Sequence, residues 1–237
     1  MIRITRSGHH LTSLLLVGAC AGALPAQEPP APPGLAAASA FDPKRFEADI
    51  QAFEATDRAS PPSGGGVVFV GSSSIKNWAD VASDFPGVPV LNRGFGGSTL
   101  ADVVYFMRRI VLPYQPRLVV LYAGDNDMVE GRTPAQVLAD CRAFAGQLRS
   151  ALSNARLAFV SIKPSPARRA YLSRMRDTNR RIRAEIARDS LQAYVDVFTP
   201  MLGSTGQPRP ELFQADSLHM SRAGYLLWRS ILTPVIR

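Results

Sequence analysis

Cysteine is nearly missing from this chain of 237 residues: only Cys20 and Cys141 occur. If an N-terminal leader is cut beyond Cys20, Cys141 is left alone and no internal disulfide can form, so the fold must stand on its apolar core. Cys141 itself falls within a helical pattern and reads as a small buried apolar residue. Histidine is almost as scarce, with three in total; His9 and His10 lie in the first two dozen residues, so His219 is the only imidazole beyond them. Asp125 and Asp127 are close enough to hold a cation. No second histidine or further acid cluster accompanies them, so no catalytic metal is expected. Gly94-Phe95-Gly96-Gly97 resembles a dinucleotide loop but has Thr99 where the third glycine belongs, and no cofactor is expected either. Lysine is limited to Lys44, Lys76 and Lys163, so the formal net charge of +8 is carried mainly by arginine. A basic surface can attract nucleic acid or anionic membrane. After the first two dozen residues no apolar run is long enough to cross a bilayer, and no internal repeat is visible.

What the chain does have is 46% hydrophobic and 19% charged residues, a globular balance. Residues 1–26 read as an export leader, with Arg3 and Arg6 ahead of an apolar stretch from Leu11 to Ala23. Two exits stay open. The small residues of Ala21-Gly22-Ala23 and Leu24-Pro25-Ala26 suit ordinary cleavage, whereas Val17-Gly18-Ala19-Cys20 resembles a bacterial lipobox, in which Cys20 would carry lipid and attach the chain to a membrane. Either exit places the mature chain in the periplasm or envelope, which argues against nucleic acid as a partner. Residues 27–40 are rich in proline and alanine and read as an extended tether, leaving 41–237 as one folded domain.

Within that domain strands and helices alternate. Phe46, Ile50 and Phe53 at helical spacing predict a helix over 41–59. Apolar runs predict strands at Val67–Val70, Val88–Leu91, Leu118–Tyr122, Leu157–Ile162 and Tyr194–Phe198. Helices are expected at Ile75–Ser83, Leu100–Val111, Pro134–Leu152, Arg168–Arg188 and Arg222–Leu232, with loops at Asn92–Ser98 and Ala123–Arg132. Thr133 and Gln136 form a capping-box pattern around Pro134. The Arg-rich stretch Arg168–Arg188 reads as a solvated outer face with Leu172, Met175, Ile182 and Ile186 as its apolar stripe; contact with anionic headgroups or envelope polymers is the alternative. The alternation implies an α/β fold, a five-stranded parallel sheet with helices on both faces. Ligands of such sheets bind beyond the carboxyl ends of the strands.

The chemistry-bearing residues fall there. Ser73 follows the first strand in Gly71-Ser72-Ser73-Ser74, Gly97 follows the second, and Asn126 the third. His219 lies three residues after Asp216, close enough for carboxylate and imidazole to meet across one turn. A serine hydroxyl needs a base to take its proton and a third group to orient that base. At a strand-to-helix turn, free N–H groups and the helix dipole favour a developing oxyanion.

Four segments in order resemble the conserved blocks of the SGNH (GDSL-type) hydrolases: Phe69–Ile75, Asn92–Ser98, Gly124–Asp127 and Asp216–His219. The resemblance implies a three-layer α/β/α, flavodoxin-like SGNH fold and ester hydrolysis without a metal. It implies Ser73 as nucleophile, His219 as base and Asp216 behind it, with an oxyanion hole built from the Ser73 and Gly97 backbone N–H groups and the Asn126 side chain. The family's Gly-Asp-Ser is here Gly71-Ser72-Ser73, so the acid before the nucleophile is missing and two further serines, Ser72 and Ser74, flank it. The expected function is an exported serine esterase on small-molecule or glycan esters with small acyl groups such as acetyl, since no long apolar lid is evident. A lysophospholipase or thioesterase on longer chains, and an envelope binding module that keeps the pocket without chemistry, are the alternatives.

Overall fold

The computed structural model describes Met1 and residues 41–237. The expected leader, tether and lipobox fall outside the described residues. Five parallel strands form one sheet: β1 (Val67–Gly71), β2 (Val90–Gly94), β3 (Leu118–Tyr122), β4 (Arg156–Val160) and β5 (Gln192–Val195), in the order β2-β1-β3-β4-β5. The helices are α1 (Glu47–Ala59), α2 (Ser73–Lys76), α3 (Val81–Asp84), α4 (Leu100–Ile110), α5 (Asp125–Val129), α6 (Pro134–Ala151), α7 (Leu172–Ile186) and α8 (Arg222–Ile236).

Alternate side chains of the strands feed two cores, as the pleat requires. Val68, Val70, Val119, Leu121, Leu157 and Phe159 pack against α1, α4, α6 and α7. Val67, Phe69, Val120, Tyr122 and Val160 pack on the other face against Trp78, Trp228 and the rest of α8. The three layers α/β/α follow directly. Cys141 is buried in the first core, where burial pushes its thiol up to about 12, so it behaves as an apolar residue. Thr133 and Gln136 make the expected capping box at the start of α6.

Several boundaries move for tertiary reasons. The second strand runs on to Gly94 instead of stopping at Leu91, because Asn92, Arg93 and Gly94 pair in register with Phe69, Val70 and Gly71 of β1. The helix expected over 75–83 is two single turns, α2 and α3. The Ile75 carbonyl accepts the Trp78 N–H at 3.0 Å in a tightened turn and Asn92 Nδ2 at 2.7 Å, while Asn92 Oδ1 accepts from the Gly94 N–H, so a side chain from β2 shares the carbonyl at which α2 stops. Trp78 then turns into the core, its Nε1 donating to the buried Asp84 at 2.7 Å. The helix dipole expected behind Ser73 is therefore that of one turn only. The long helix expected from Arg168 starts instead at Leu172. Residues Pro166–Tyr171 form a 3-10 turn in which Arg168 is not helical (φ −116°, ψ 24°). The fifth strand ends at Val195, before Phe198, because the Ser161 hydroxyl takes the Val197 and Phe198 N–H groups at 2.9 Å. The last helix continues through Pro234 to Ile236.

Candidate active site

The sheet register brings three of the expected residues to one edge. Gly71 at the end of β1 pairs with Gly94 of β2 on one side and Tyr122 of β3 on the other. Ser73, Gly97 and Asn126 follow these level positions by two, three and four residues. They therefore start from one short row at the point where the strand order reverses, the crevice in which open α/β sheets bind ligands. Gly96 lies against the serine: a Cβ added there would stand 3.9 Å from Ser73 Cβ.

Of the three consecutive serines, only Ser73 reaches the surface. Ser72 and Ser74 are fully buried. Ser73 opens α2; the Ile75 and Lys76 N–H groups return to the Ser72 carbonyl and that of Asn77 to Ser73. Among the described residues neither the Ser73 nor the Gly97 N–H donates to another protein group. Gly97 holds φ at +83° with open space where a side chain would stand. Asn126 Nδ2 donates to the Ser98 carbonyl at 2.9 Å, which leaves its second hydrogen free.

The fourth segment arrives from the other side. Ser217, in the left-handed region at φ +59°, turns the chain so that Asp216 folds back on His219. Asp216 Oδ1 accepts the Leu218 and His219 N–H groups at 2.9 Å, and Oδ2 lies 2.6 Å from His219 Nδ1. The N–H of Leu218, the imidazole and the N–H of His219 hold this carboxyl down at about 2, so it stays ionised at any working pH. A carboxylate facing Nδ1 makes Nδ1 the protonated nitrogen and leaves the Nε2 lone pair as the basic one. The segment is tied to the strand ends through the Ala167 N–H, which donates to the Ser217 carbonyl at 3.0 Å. Just beyond it, Arg222 at the start of α8 grips Asp84 of α3 with its two Nη atoms at 2.6 and 2.5 Å. Asp216 and His219 thus meet as expected. Among the described residues no hydrogen bond joins Ser73 Oγ to His219, a contact that tightens in many enzymes only with substrate bound.

Asp125 and Asp127 are used inside the loop. Asp125 is fully enclosed; burial alone would raise its carboxyl, but Lys163 and Arg168 outweigh that and lower it. Lys163 Nζ lies 3.2 Å and Arg168 Nη1 2.8 Å from the same Oδ2. Asp127 receives the Leu100 N–H on both oxygens at 3.2 and 3.1 Å, tying the start of α4 to α5, with Arg132 Nε at 3.5 Å. Lys163 and Arg168 were not visible as site residues in the sequence, where one is a lone lysine and the other opens an arginine-rich run. The alternation of Arg168 with Pro164 and Pro166 was the only local sign that this arginine precedes the helix.

Asp127 gives a pH prediction. Burial, only partly offset by the Leu100 N–H and Arg132, pushes its carboxyl up to about 7. Between an unfolded value near 4 and that folded value, the unfolded chain has released a proton that the native one still holds, so stability falls as pH rises through this window. The loss is expected to be a few kcal/mol at most, at about 1.4 kcal/mol per unit. In urea titrations at pH 4, 5.5 and 7, Asp127→Asn should show a flatter profile than wild type. Identical slopes for the two proteins would contradict the shift.

The fold and this edge-of-sheet constellation define a hydrolase of the SGNH fold. The chain belongs to the GDSL-like Lipase/Acylhydrolase family, whose model matches residues 60–227, and members of that family hydrolyse esters. No curated protein matches the chain. Similar solved structures include a Streptococcus pneumonia protein (TM-score 0.73, 18% identity, 82% of this chain and 94% of the other). A GDSL-like lipase from Bacteroides thetaiotaomicron aligns at TM-score 0.65 and 22% identity, over 82% and 97%. A variant of an acetyl-xylooligosaccharide esterase from Geobacillus Stearmophilus aligns at TM-score 0.57 and 16% identity, over 74% and 95%. At these identities the likeness is one of fold.

Proposed function

We propose that this chain is an exported serine esterase that works through an acyl-enzyme on small acyl esters, with Ser73 as nucleophile. The observation that carries the reading is the 2.6 Å pair of Asp216 and His219, the only imidazole in the folded domain, tied to the strand ends from which Ser73, Gly97 and Asn126 extend. His219 Nε2 takes the proton from Ser73 Oγ as that oxygen bonds to the ester carbonyl carbon. The carbonyl oxygen becomes an oxyanion, which the Ser73 and Gly97 N–H groups and Asn126 Nδ2 receive. The C–O bond to the alcohol then breaks, and the alcohol leaves with the proton held by His219. Water repeats the sequence on the acyl-serine, and releases the acid. Asp216 stays ionised throughout, and stabilises the imidazolium.

A small acyl group is supported by the lack of any long apolar lid in the sequence, and a glycan alcohol by the fold shared with an acetyl-xylooligosaccharide esterase. Export is supported by the basic and apolar pattern of residues 1–26. The test is labelling with a fluorophosphonate, followed by peptide mapping, alongside a p-nitrophenyl ester series. The label is expected on Ser73, and to persist in Ser72→Ala and Ser74→Ala, with the highest kcat/KM on the acetyl ester. A preference for long chains would overturn the acyl assignment. Absence of both label and turnover would leave a binding module.

A further inference from the structure

We infer that Arg168 is a positioning residue for the proposed oxyanion donor Asn126: it fixes which way the carboxamide points and polarises it toward the substrate. This rests on the assignment of Asn126 above. Arg168 Nη2 donates to Asn126 Oδ1 at 2.8 Å, while Asn126 Nδ2 donates to the Ser98 carbonyl at 2.9 Å. A guanidinium can only donate and a carbonyl can only accept, so the two partners together allow one orientation of the amide. In the flipped orientation both contacts would set like against like. The oriented amide keeps one N–H for the ligand, and a cation on its oxygen makes that N–H a stronger donor, as linked hydrogen bonds reinforce one another away from water.

The arginine is itself held. Its side chain is only 14% exposed, and Nη1 lies 2.8 Å from Asp125, the residue before Asn126. Lys163, 2% exposed, reaches the same Asp125 oxygen. The backbone that carries Lys163 is pinned one residue earlier by Asn179 of α7, which accepts the Ile162 N–H at 2.8 Å and donates to its carbonyl at 3.0 Å. Lys163 and Arg168 thus share the carboxylate of the residue before Asn126. The amide N–H that Arg168 orients and strengthens meets a full negative charge only in the oxyanion, so Arg168 acts through Asn126 on the transition state and not on substrate binding. The same 3-10 turn places the Ala167 N–H on the Ser217 carbonyl, so one turn joins the oxyanion side of the site to the segment of His219.

The experiment is a double-mutant cycle on an acetyl ester. Asn126→Ala should lower kcat by roughly 10²- to 10³-fold, the loss typical of one oxyanion donor. Arg168→Ala should lower kcat roughly tenfold with KM nearly unchanged, and should cost nothing further in the Asn126→Ala background, because it acts through that amide. Arg168→Gln retains a donor without the charge and should fall between wild type and Arg168→Ala; it carries the test if the alanine variant is unstable. Full activity in Arg168→Ala or Arg168→Gln, an effect confined to KM, or an undiminished loss in the Asn126→Ala background would overturn the inference. Full activity in Asn126→Ala would instead overturn the oxyanion assignment on which it rests.

Discussion

Ser73→Ala, His219→Ala and the variant carrying both are expected to lose the same factor in kcat, on the order of 10⁴- to 10⁶-fold. Nucleophile and base act as a unit: without the imidazole the hydroxyl keeps its proton, and without the hydroxyl the imidazole has no proton to move. The second substitution therefore costs little once the first is made. Replacement of His219 is expected to be that severe because the folded domain holds no other histidine to take over. Asp216→Asn should also be damaging, at roughly 10²- to 10⁴-fold. Its amide cannot supply the carboxylate that holds Nδ1–H and leaves Nε2 basic. Its Oδ1 also receives two backbone N–H groups that shape the turn. The measurement is single-turnover kinetics on purified variants whose thermal melts match wild type. If the double variant is far slower than either single one, the two residues do not act together and the triad is wrong.

Much of this was legible because the decisive features are local or periodic. Five apolar, β-branched runs mark the sheet core, and Val67–Val70 and Leu118–Tyr122 are buried along their whole length, as such runs imply. Asp216 and His219 are three positions apart, so their closure needs one turn and no knowledge of the fold. What escaped depends on partners distant in sequence. Asn92 and Gly94 look like loop residues, yet they pair with Phe69 and Gly71 of β1. The break between α2 and α3 follows from the same Asn92, which reaches across to the Ile75 carbonyl. Arg168 resembles its neighbours on α7 in composition, and only the burial of Asp125 beside Lys163 explains why it turns inward. Periodicity reports which residues face the core, whereas an ion pair between β3 and β4 loops has no spacing to detect.

The turn that delivers Ser73 also supports the largest structural prediction. Gly71→Ala is expected to destabilise the domain by about 4 kcal/mol or more, a value reserved for backbone conflict in a buried place. Gly71 adopts φ +141°, where L side chains strain, and an added Cβ would stand 1.7 Å from the Tyr122 carbonyl oxygen and 2.7 Å from its carbon. That carbonyl cannot yield, because it accepts the Ser72 N–H at 3.0 Å, while the Gly71 carbonyl accepts the Phe95 N–H at 2.9 Å. Relief would have to part β1 from β3 at the row from which Ser73 and Asn126 extend. For a domain of this size the midpoint should fall by about 8–16 °C, at 2–4 °C per kcal/mol. Gly97→Ala separates strain from collision: its φ of +83° is also unfavourable, but nothing stands within 4 Å of the added carbon. It should cost only about 1–2 kcal/mol, the penalty for an L residue in the left-handed region. Thermal melts of the two variants side by side decide the matter. Equal losses would mean that backbone strain alone matters at Gly71 and that the close approach to Tyr122 does not.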